Sequence, residues 1–139
     1  MLIGVGAFLG ASVVAVIVAY ALRSPDTSTP VGVTEFRISM PDRLATGVHT
    51  FTLANHGTVA HELVIFRTDL AATDLPLRAD GDVNEESPLL TSVADSGEPL
   101  AAGGNESVET AALTPGHYVA VCNLPGHYRE GMRLDVTVP

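Results

Sequence analysis

The chain has 139 residues, a formal net charge of −9 and a single cysteine. Sixteen acidic residues against seven basic ones argue against nucleic acid as a partner, because binding to phosphates requires clustered positive charge. One cysteine excludes an intramolecular disulfide, so the thiol is either buried and inert or a metal ligand. The length suits one domain.

The chain begins with an apolar segment. Leu2 to Leu22 carries no charge, and as a helix it would span about 31 Å, close to the thickness of a bilayer core. Residues 1–23 are therefore predicted to be a membrane anchor or a secretory signal peptide, with Ala19-Tyr20-Ala21 as the cleavage site. The missing basic region before the segment favours the anchor. Both alternatives place the remainder outside the cytoplasm, in a periplasm or at the cell surface.

A polar segment, residues 24–30, is predicted to be a linker, and residues 31–139 to be one all-β domain. The strand patterns there are short, alternating and rich in Val, Thr and aromatic residues, and turn residues separate them. This pattern predicts an antiparallel sandwich or barrel. The predicted strands are Val33–Ser39, Val48–Asn55, His61–Arg67, Ser107–Leu113, His117–Cys122 and Met132–Val138.

An acidic insertion at about 69–102 interrupts the strand pattern. Asp69 to Glu109 contains ten acidic residues and only Arg78 as a basic one. The insertion is too long for a plain hairpin loop, and its leucines predict that part of it packs against the domain. Its charge indicates either a solvated face or a field that attracts a basic partner, and we favour the solvated face.

The tetrapeptide Pro-Gly-His-Tyr occurs twice, at 115–118 and 125–128, on either side of Cys122. His117 precedes Cys122 by five residues in one strand, so it points to the opposite face and lies about 16 Å away. His127 follows Cys122 after Asn-Leu-Pro-Gly, a turn-forming sequence that lets the chain fold back. His127 is therefore expected to share a metal ion with Cys122, and His117 to lie at the surface.

Two further side chains are expected at the same end of the sandwich. Met132 begins the last strand and shares its inward face with Leu134 and Val136, and His61 begins a strand whose inward face continues with Leu63. Two imidazoles, a thiolate and a thioether suit one copper ion that alternates between Cu(I) and Cu(II). The predicted ligands are His61, Cys122, His127 and Met132, and the predicted non-ligands are His49, His56 and His117.

Two segments, NHGTVAHELVIF (55–66) and PGHYVAVCNLPGHYREGM (115–132), resemble the cupredoxins, the small blue copper proteins. The resemblance implies a Greek-key β-sandwich with a type 1 copper centre, and the Cys-x4-His-x4-Met spacing is similar to that of rusticyanin and sulfocyanin. It also implies that Tyr118 is the buried strand tyrosine of the family. Glu62 departs from the pattern, because many members have an asparagine after the first ligand.

The resemblance implies an extracytoplasmic carrier of single electrons whose redox partner is a protein such as a cytochrome or an oxidase. His127 would be the exit for the electron, with Leu124, Pro125 and Gly126 as an apolar docking patch. One alternative is a copper carrier or buffer without a redox role, and another is a metal-free binding module. An enzyme is not expected, because paired His-x-His motifs and a second cysteine are absent from the sequence.

Overall fold

A computed structural model describes residues 27–139, and this part of the chain forms eight strands and no helix. The predicted anchor or signal segment, residues 1–23, lies outside the described residues. Within 27–139 no helix is long and apolar enough to cross a membrane. The strands are β1 Thr27–Thr34, β2 Arg37–Ser39, β3 His49–Asn55, β4 Val64–Arg67, β5 Thr91–Asp95, β6 Asn105–Glu109, β7 Gly116–Val121 and β8 Arg133–Val138.

The strands form two four-stranded sheets, ordered β2-β1-β3-β6 and β5-β4-β7-β8. The predicted β-sandwich is confirmed, but its sheets are not purely antiparallel, since β1 and β3 pair in parallel. The reason is the path of the chain between β2 and β3. Residues 40–48 cross to the other sheet, where Leu44 donates to the carbonyl of Thr137 at 3.0 Å, and then return beside β1.

Several predicted elements differ from the structure. The predicted strand His61–Arg67 begins only at Val64, and His61 itself forms an isolated bridge with Leu100. The predicted strand Val33–Ser39 is two strands separated by a turn, and β1 begins at Thr27, within the segment predicted as a linker. Thr29 is buried there, and its hydroxyl contacts Nδ1 of His49 at 3.2 Å. The polar composition of this segment therefore did not indicate that it forms a partly buried strand. The insertion contains β5, which alternation did not indicate, and β6 begins and ends earlier than predicted.

The main core lies between the two sheets and is built from alternate residues of their strands, as the pleat requires. Phe51 and Leu53 of β3 face Ile65 of β4 and Tyr118 of β7 across it. Cys122 and Met132 belong to the same cluster and are fully buried. Two of the predicted ligands, Cys122 and Met132, therefore lie at one end of a packed core.

A second apolar cluster lies on the outer face of the second sheet. The sheet contributes Val64, Phe66, Val119 and Val121, and the insertion covers them with Ala72, Leu75, Val83 and Leu90. This explains why β4 and β7 are buried on both faces. The expectation that part of the insertion packs against the domain is confirmed, although Leu77 and Leu89 are exposed.

Tyr118 anchors the turn before β7. Its hydroxyl donates to the carbonyl of Thr114 at 2.8 Å and accepts from the N–H of Thr114 at 3.1 Å, while its ring is buried. Tyr118→Phe should therefore lower the free energy of unfolding by about 1–2 kcal/mol, because two partly buried backbone groups lose their partner. Denaturant titration measures this change, and an unaltered transition midpoint would contradict it.

Candidate metal centre

Three of the predicted ligands converge at one end of the sandwich. His61 Nδ1 lies 3.3 Å from His127 Nδ1, and Cys122 Sγ lies 3.2 Å from the same His127 nitrogen. All three donor atoms lie within 4.8 Å of one another. His61 and Cys122 are fully buried, and His127 is partly exposed.

The first predicted ligand, His61, is positioned by the turn at the end of β3. Asn55 is buried, and its side chain donates to the carbonyls of Val59 and Leu100 at 2.8 and 2.9 Å and accepts from the N–H of Gly57 at 2.9 Å. The backbone of His61 forms a two-way bridge with Leu100. This bridge places His61 before β4 begins and fixes the direction of its side chain.

The other predicted ligands are positioned by the connection between β7 and β8. Cys122 donates its N–H to the carbonyl of Met132 at 3.1 Å, and Met132 donates its N–H to the carbonyl of His127 at 3.1 Å. Gly126, directly before His127, has a φ of +82°, a conformation that favours glycine. Residues 122–127, which we call the ligand loop, are therefore closed by hydrogen bonds on both sides.

The surroundings of the donor atoms favour a bound metal. Burial raises the pKa of the Cys122 thiol, which would keep its proton unless a metal replaced it. The N–H of Glu62 points at its sulfur at 3.4 Å, as suits a thiolate. Burial, and secondly the nearby His61, lower the pKa of His127, so its imidazole is neutral and able to bind a metal.

The spacing and chemistry of the donors fit copper. Two nitrogens bound to one ion at about 2.0–2.1 Å each must lie within about 4 Å of each other, and those of His61 and His127 do. A soft thiolate with two imidazoles is the equatorial donor set of blue copper sites.

Glu35, which sequence reasoning missed, lies beside the first ligand. Its Oε1 is 3.6 Å from His61 Nε2, a buried nitrogen without a hydrogen-bond partner. The same carboxylate accepts from the N–H groups of Thr58 and Val59, and backbone hydrogen bonds, first from Thr58, then from Glu35 itself and from Val59, lower the pKa of Glu35 to about 2. A Cβ at Gly57 would lie 2.5 Å from Oε1, so that glycine leaves room for the carboxylate. The sequence pattern gives no signal for this role of Glu35, because only the tertiary fold places it beside His61.

Glu62 joins the two ligand-bearing segments in spite of its departure from the family pattern. Its Oε1 accepts the N–H of Asn123 at 2.9 Å, directly after Cys122. Burial raises the pKa of Glu62, while the bond from Asn123 opposes the shift. The carboxylate therefore provides a link between the His61 and Cys122 segments.

Met132 is fully buried, and its backbone bonds to both Cys122 and His127. Its backbone is thus next to the three converging donors, while its side chain also belongs to the main core. Its role as the fourth ligand stays a prediction.

The remaining histidines of the described part lie outside the donor cluster. His49 is buried and bonds to Thr29 and to the carbonyl of Ala45, and His56 is exposed. His117 contacts the carbonyl of Thr68 at 2.8 Å and the carboxylate of Asp135 at 2.9 Å.

The comparisons with known proteins agree with this geometry. The chain matches the family model of the sulfocyanin (SoxE) domain over residues 13–139. None of the curated protein sequences matches the chain.

Similar solved structures include reduced auracyanin from the photosynthetic bacterium Roseiflexus castenholzii, with a TM-score of 0.62 and 25% identity over 84% of this chain and 99% of that one. Auracyanin A, a "blue" copper protein of Chloroflexus aurantiacus, has a TM-score of 0.54 and 20% identity over 83% and 100%. Rusticyanin of Thiobacillus ferrooxidans has a TM-score of 0.54 and 17% identity over 83% and 79%. The last two likenesses show the shared fold.

The family match covers residues 13–139, and three of the predicted ligands lie together at one end of the sandwich. The chain therefore belongs to the sulfocyanin (SoxE) family, and the predicted resemblance to the cupredoxins, the blue copper proteins, is confirmed.

Proposed function

We propose that the protein carries single electrons between redox partner proteins outside the cytoplasm, held at a membrane by residues 1–23. The observation that carries this proposal is the convergence of His61, Cys122 and His127 on one point. Met132 is the proposed fourth ligand. When bound, copper supplies a one-electron couple between Cu(I) and Cu(II).

The protein residues keep the site in one shape. His61 and Cys122 are fully buried, and backbone hydrogen bonds close the ligand loop against Met132. Ligands fixed in this way leave little room for rearrangement when the charge changes, which favours fast electron transfer. The same burial opposes rapid metal exchange, so it favours electron transfer over copper carriage.

Apolar residues with exposed surface lie next to the partly exposed His127. The Phe36 ring packs edge-on against the His127 ring, with 5.1 Å between the ring centroids, and Phe36 is 37% exposed. Leu124 and Pro125 precede His127 on the ligand loop and are at least partly exposed. Phe36 therefore extends the predicted docking patch, and a small surface of this kind suits brief encounters with a cytochrome or an oxidase.

Copper loading of the full-length chain tests the proposal. We expect one copper ion per chain, an intense visible absorption band from the thiolate and a reversible one-electron wave in voltammetry. Bound copper without a reversible wave, together with rapid loss of Cu(I) to a chelator, would favour a copper carrier instead.

Glu35→Gln should raise the reduction potential of the copper-loaded protein. The substitution removes a negative charge next to His61 Nε2, and that charge stabilises Cu(II) more than Cu(I). At such a distance from a partly exposed carboxylate the expected increase is on the order of tens of millivolts. Voltammetry measures it, with Glu109→Gln on the exposed face of β6 as the matched charge control. Equal potentials for the two variants would contradict a role for Glu35.

A further inference from the structure

The acidic insertion contacts the ligand loop at several points. Its segment 72–85 forms hydrogen bonds with three residues next to the predicted ligands. Asn123 follows Cys122, Gly126 precedes His127, and Tyr128 follows His127. Both ligands that the loop supplies therefore have neighbours fastened to the insertion. A loop that served only as a solvated face would not make such contacts.

Asn123 makes the densest of these contacts. Its side chain is buried, accepts from the N–H of Val83 at 2.7 Å and donates to the carbonyl of Val83 at 3.1 Å. The same amide donates to the carboxylate of Glu85 at 2.7 Å. The Asn123 side chain thus bonds to both the N–H and the carbonyl of Val83, as the backbone of a neighbouring strand would. Asn123 directly follows Cys122 in the chain.

Asp82 holds the other end of the ligand loop. Its carboxylate accepts the N–H of Gly126 at 2.9 Å, and its side chain is only 7% exposed. Arg78, at 3.9 Å, is a distant counter-charge. Burying a carboxylate is costly unless it is hydrogen-bonded, so the bond to Gly126 is a specific contact and not a by-product of an acidic surface.

Apolar packing accompanies these hydrogen bonds between the insertion and the ligand loop. Tyr128 is buried and donates its hydroxyl to the carbonyl of Ala72 at 2.7 Å. Ala72, Leu75 and Val83 pack with Tyr128 in the second apolar cluster. The segment is therefore fixed to the second sheet and can transmit that rigidity to the loop.

We propose that residues 72–85 form a brace, a positioning element that holds the ligand loop and the adjoining Tyr128 in their metal-binding geometry through Asp82, Val83 and Ala72. The importance of this geometry for electron transfer rests on the proposed function. The bracing itself belongs to the polypeptide and is measurable without metal.

The brace assigns a role to part of the insertion's negative charge. Asp82 and Glu85 bond to the ligand loop, whereas Glu86 is exposed and faces solvent. Two substitutions of Asp82 distinguish the effect of its hydrogen bond from the effect of its charge. Asp82→Ala removes both the acceptor and the charge, whereas Asp82→Asn removes the charge and keeps an acceptor oxygen. Glu86→Ala removes an equal charge from the same insertion without a contact to the loop.

Amide hydrogen exchange of the metal-free full-length protein is the first test. In Asp82→Ala, exchange at Gly126 and His127 should accelerate about tenfold or more, the factor that corresponds to a lost hydrogen bond of about 1.4 kcal/mol. Asp82→Asn should restore most of the protection, and Glu86→Ala should match the parent. Should Asp82→Ala fail to fold, Tyr128→Phe provides the second variant, with faster exchange expected at residues 126–129.

The copper-loaded variants provide the second test. Asp82→Ala should alter the visible and electron paramagnetic resonance spectra, which report ligand geometry, and Asp82→Asn should keep the parent spectra. Unchanged exchange at the ligand loop in Asp82→Ala would overturn the brace. Equal changes in Asp82→Ala and Asp82→Asn would also overturn it, because they would assign the effect to the lost charge. A protein without a redox wave but with the expected exchange pattern would overturn the electron-transfer function and keep the brace.

Discussion

Cys122→Ser should abolish the intense visible band and lower the copper affinity by more than about a hundredfold. Loss of a residue that only hydrogen-bonds to a metal ligand typically costs about 10–100-fold, and loss of the ligand itself should cost more. The sulfur is the only thiolate that the chain can offer, and it lies 3.2 Å from His127 Nδ1. A serine hydroxyl stays protonated at neutral pH and is a poor ligand for Cu(I). Absorption spectroscopy and competition with a Cu(I) chelator measure both changes.

The fold should persist in this variant, so that the loss can be assigned to the site. Serine is close to cysteine in size, and its hydroxyl can accept the Glu62 N–H that now points at the sulfur. We expect the free energy of unfolding to fall by about 1–2 kcal/mol.

The duplicated tetrapeptide offers a matched control. His117→Gln, in the first copy, should leave the spectrum unchanged, since His117 bonds to Thr68 and Asp135 outside the donor cluster. An intense band that survives in Cys122→Ser, or disappears in His117→Gln, would contradict the assignment of Cys122 and His127 as the pair.

Met132→Leu and Met132→Gln should shift the reduction potential in opposite directions. If Met132 is the fourth ligand, leucine removes a weak donor that would stabilise Cu(II), so the potential should rise, whereas an amide oxygen is a harder donor that should lower it. Each shift should be at least about 60 mV, a tenfold change for a one-electron couple. Voltammetry of both copper-loaded variants measures the shifts.

The Met132 pair also tests the competing explanation that the side chain is only part of the core. Met132 is fully buried in the main cluster, and leucine conserves its volume, so the cost in stability should stay below about 1.5 kcal/mol. Glutamine would bury an amide, which costs about 1–3 kcal/mol when unpaired. Unchanged potentials in both variants, with only the stability altered, would show that Met132 is not a ligand.

Strand alternation accounted for most of the sandwich. Residues such as Phe51 and Leu53 point inward because successive side chains in a strand face opposite ways. Alternation failed at β4 and β7, which are buried on both faces because the insertion covers the second sheet. It also failed at β1, whose buried Thr29 is satisfied by His49, a residue 20 positions away.

The same rule explains how much of the site was predictable. The phase of Cys122 and the turn before His127 selected one histidine of the repeated tetrapeptide, and the structure brings this pair and His61 together. Asn55, Glu35 and the brace had no comparable signal. Each acts through contacts between segments distant in the chain, as Asp82 does with Gly126.

The sequence by itself determined the inward phase of Cys122 and the turn that returns His127 to it, because side-chain direction along a strand and turn chemistry are local properties. Only the tertiary structure decided what surrounds those donors. The carboxylate of Glu35 beside His61 and the brace on the ligand loop come from the β1–β2 turn and the insertion. Such long-range contacts depend on how loops close over the sheets, which the alternation of individual strands does not specify.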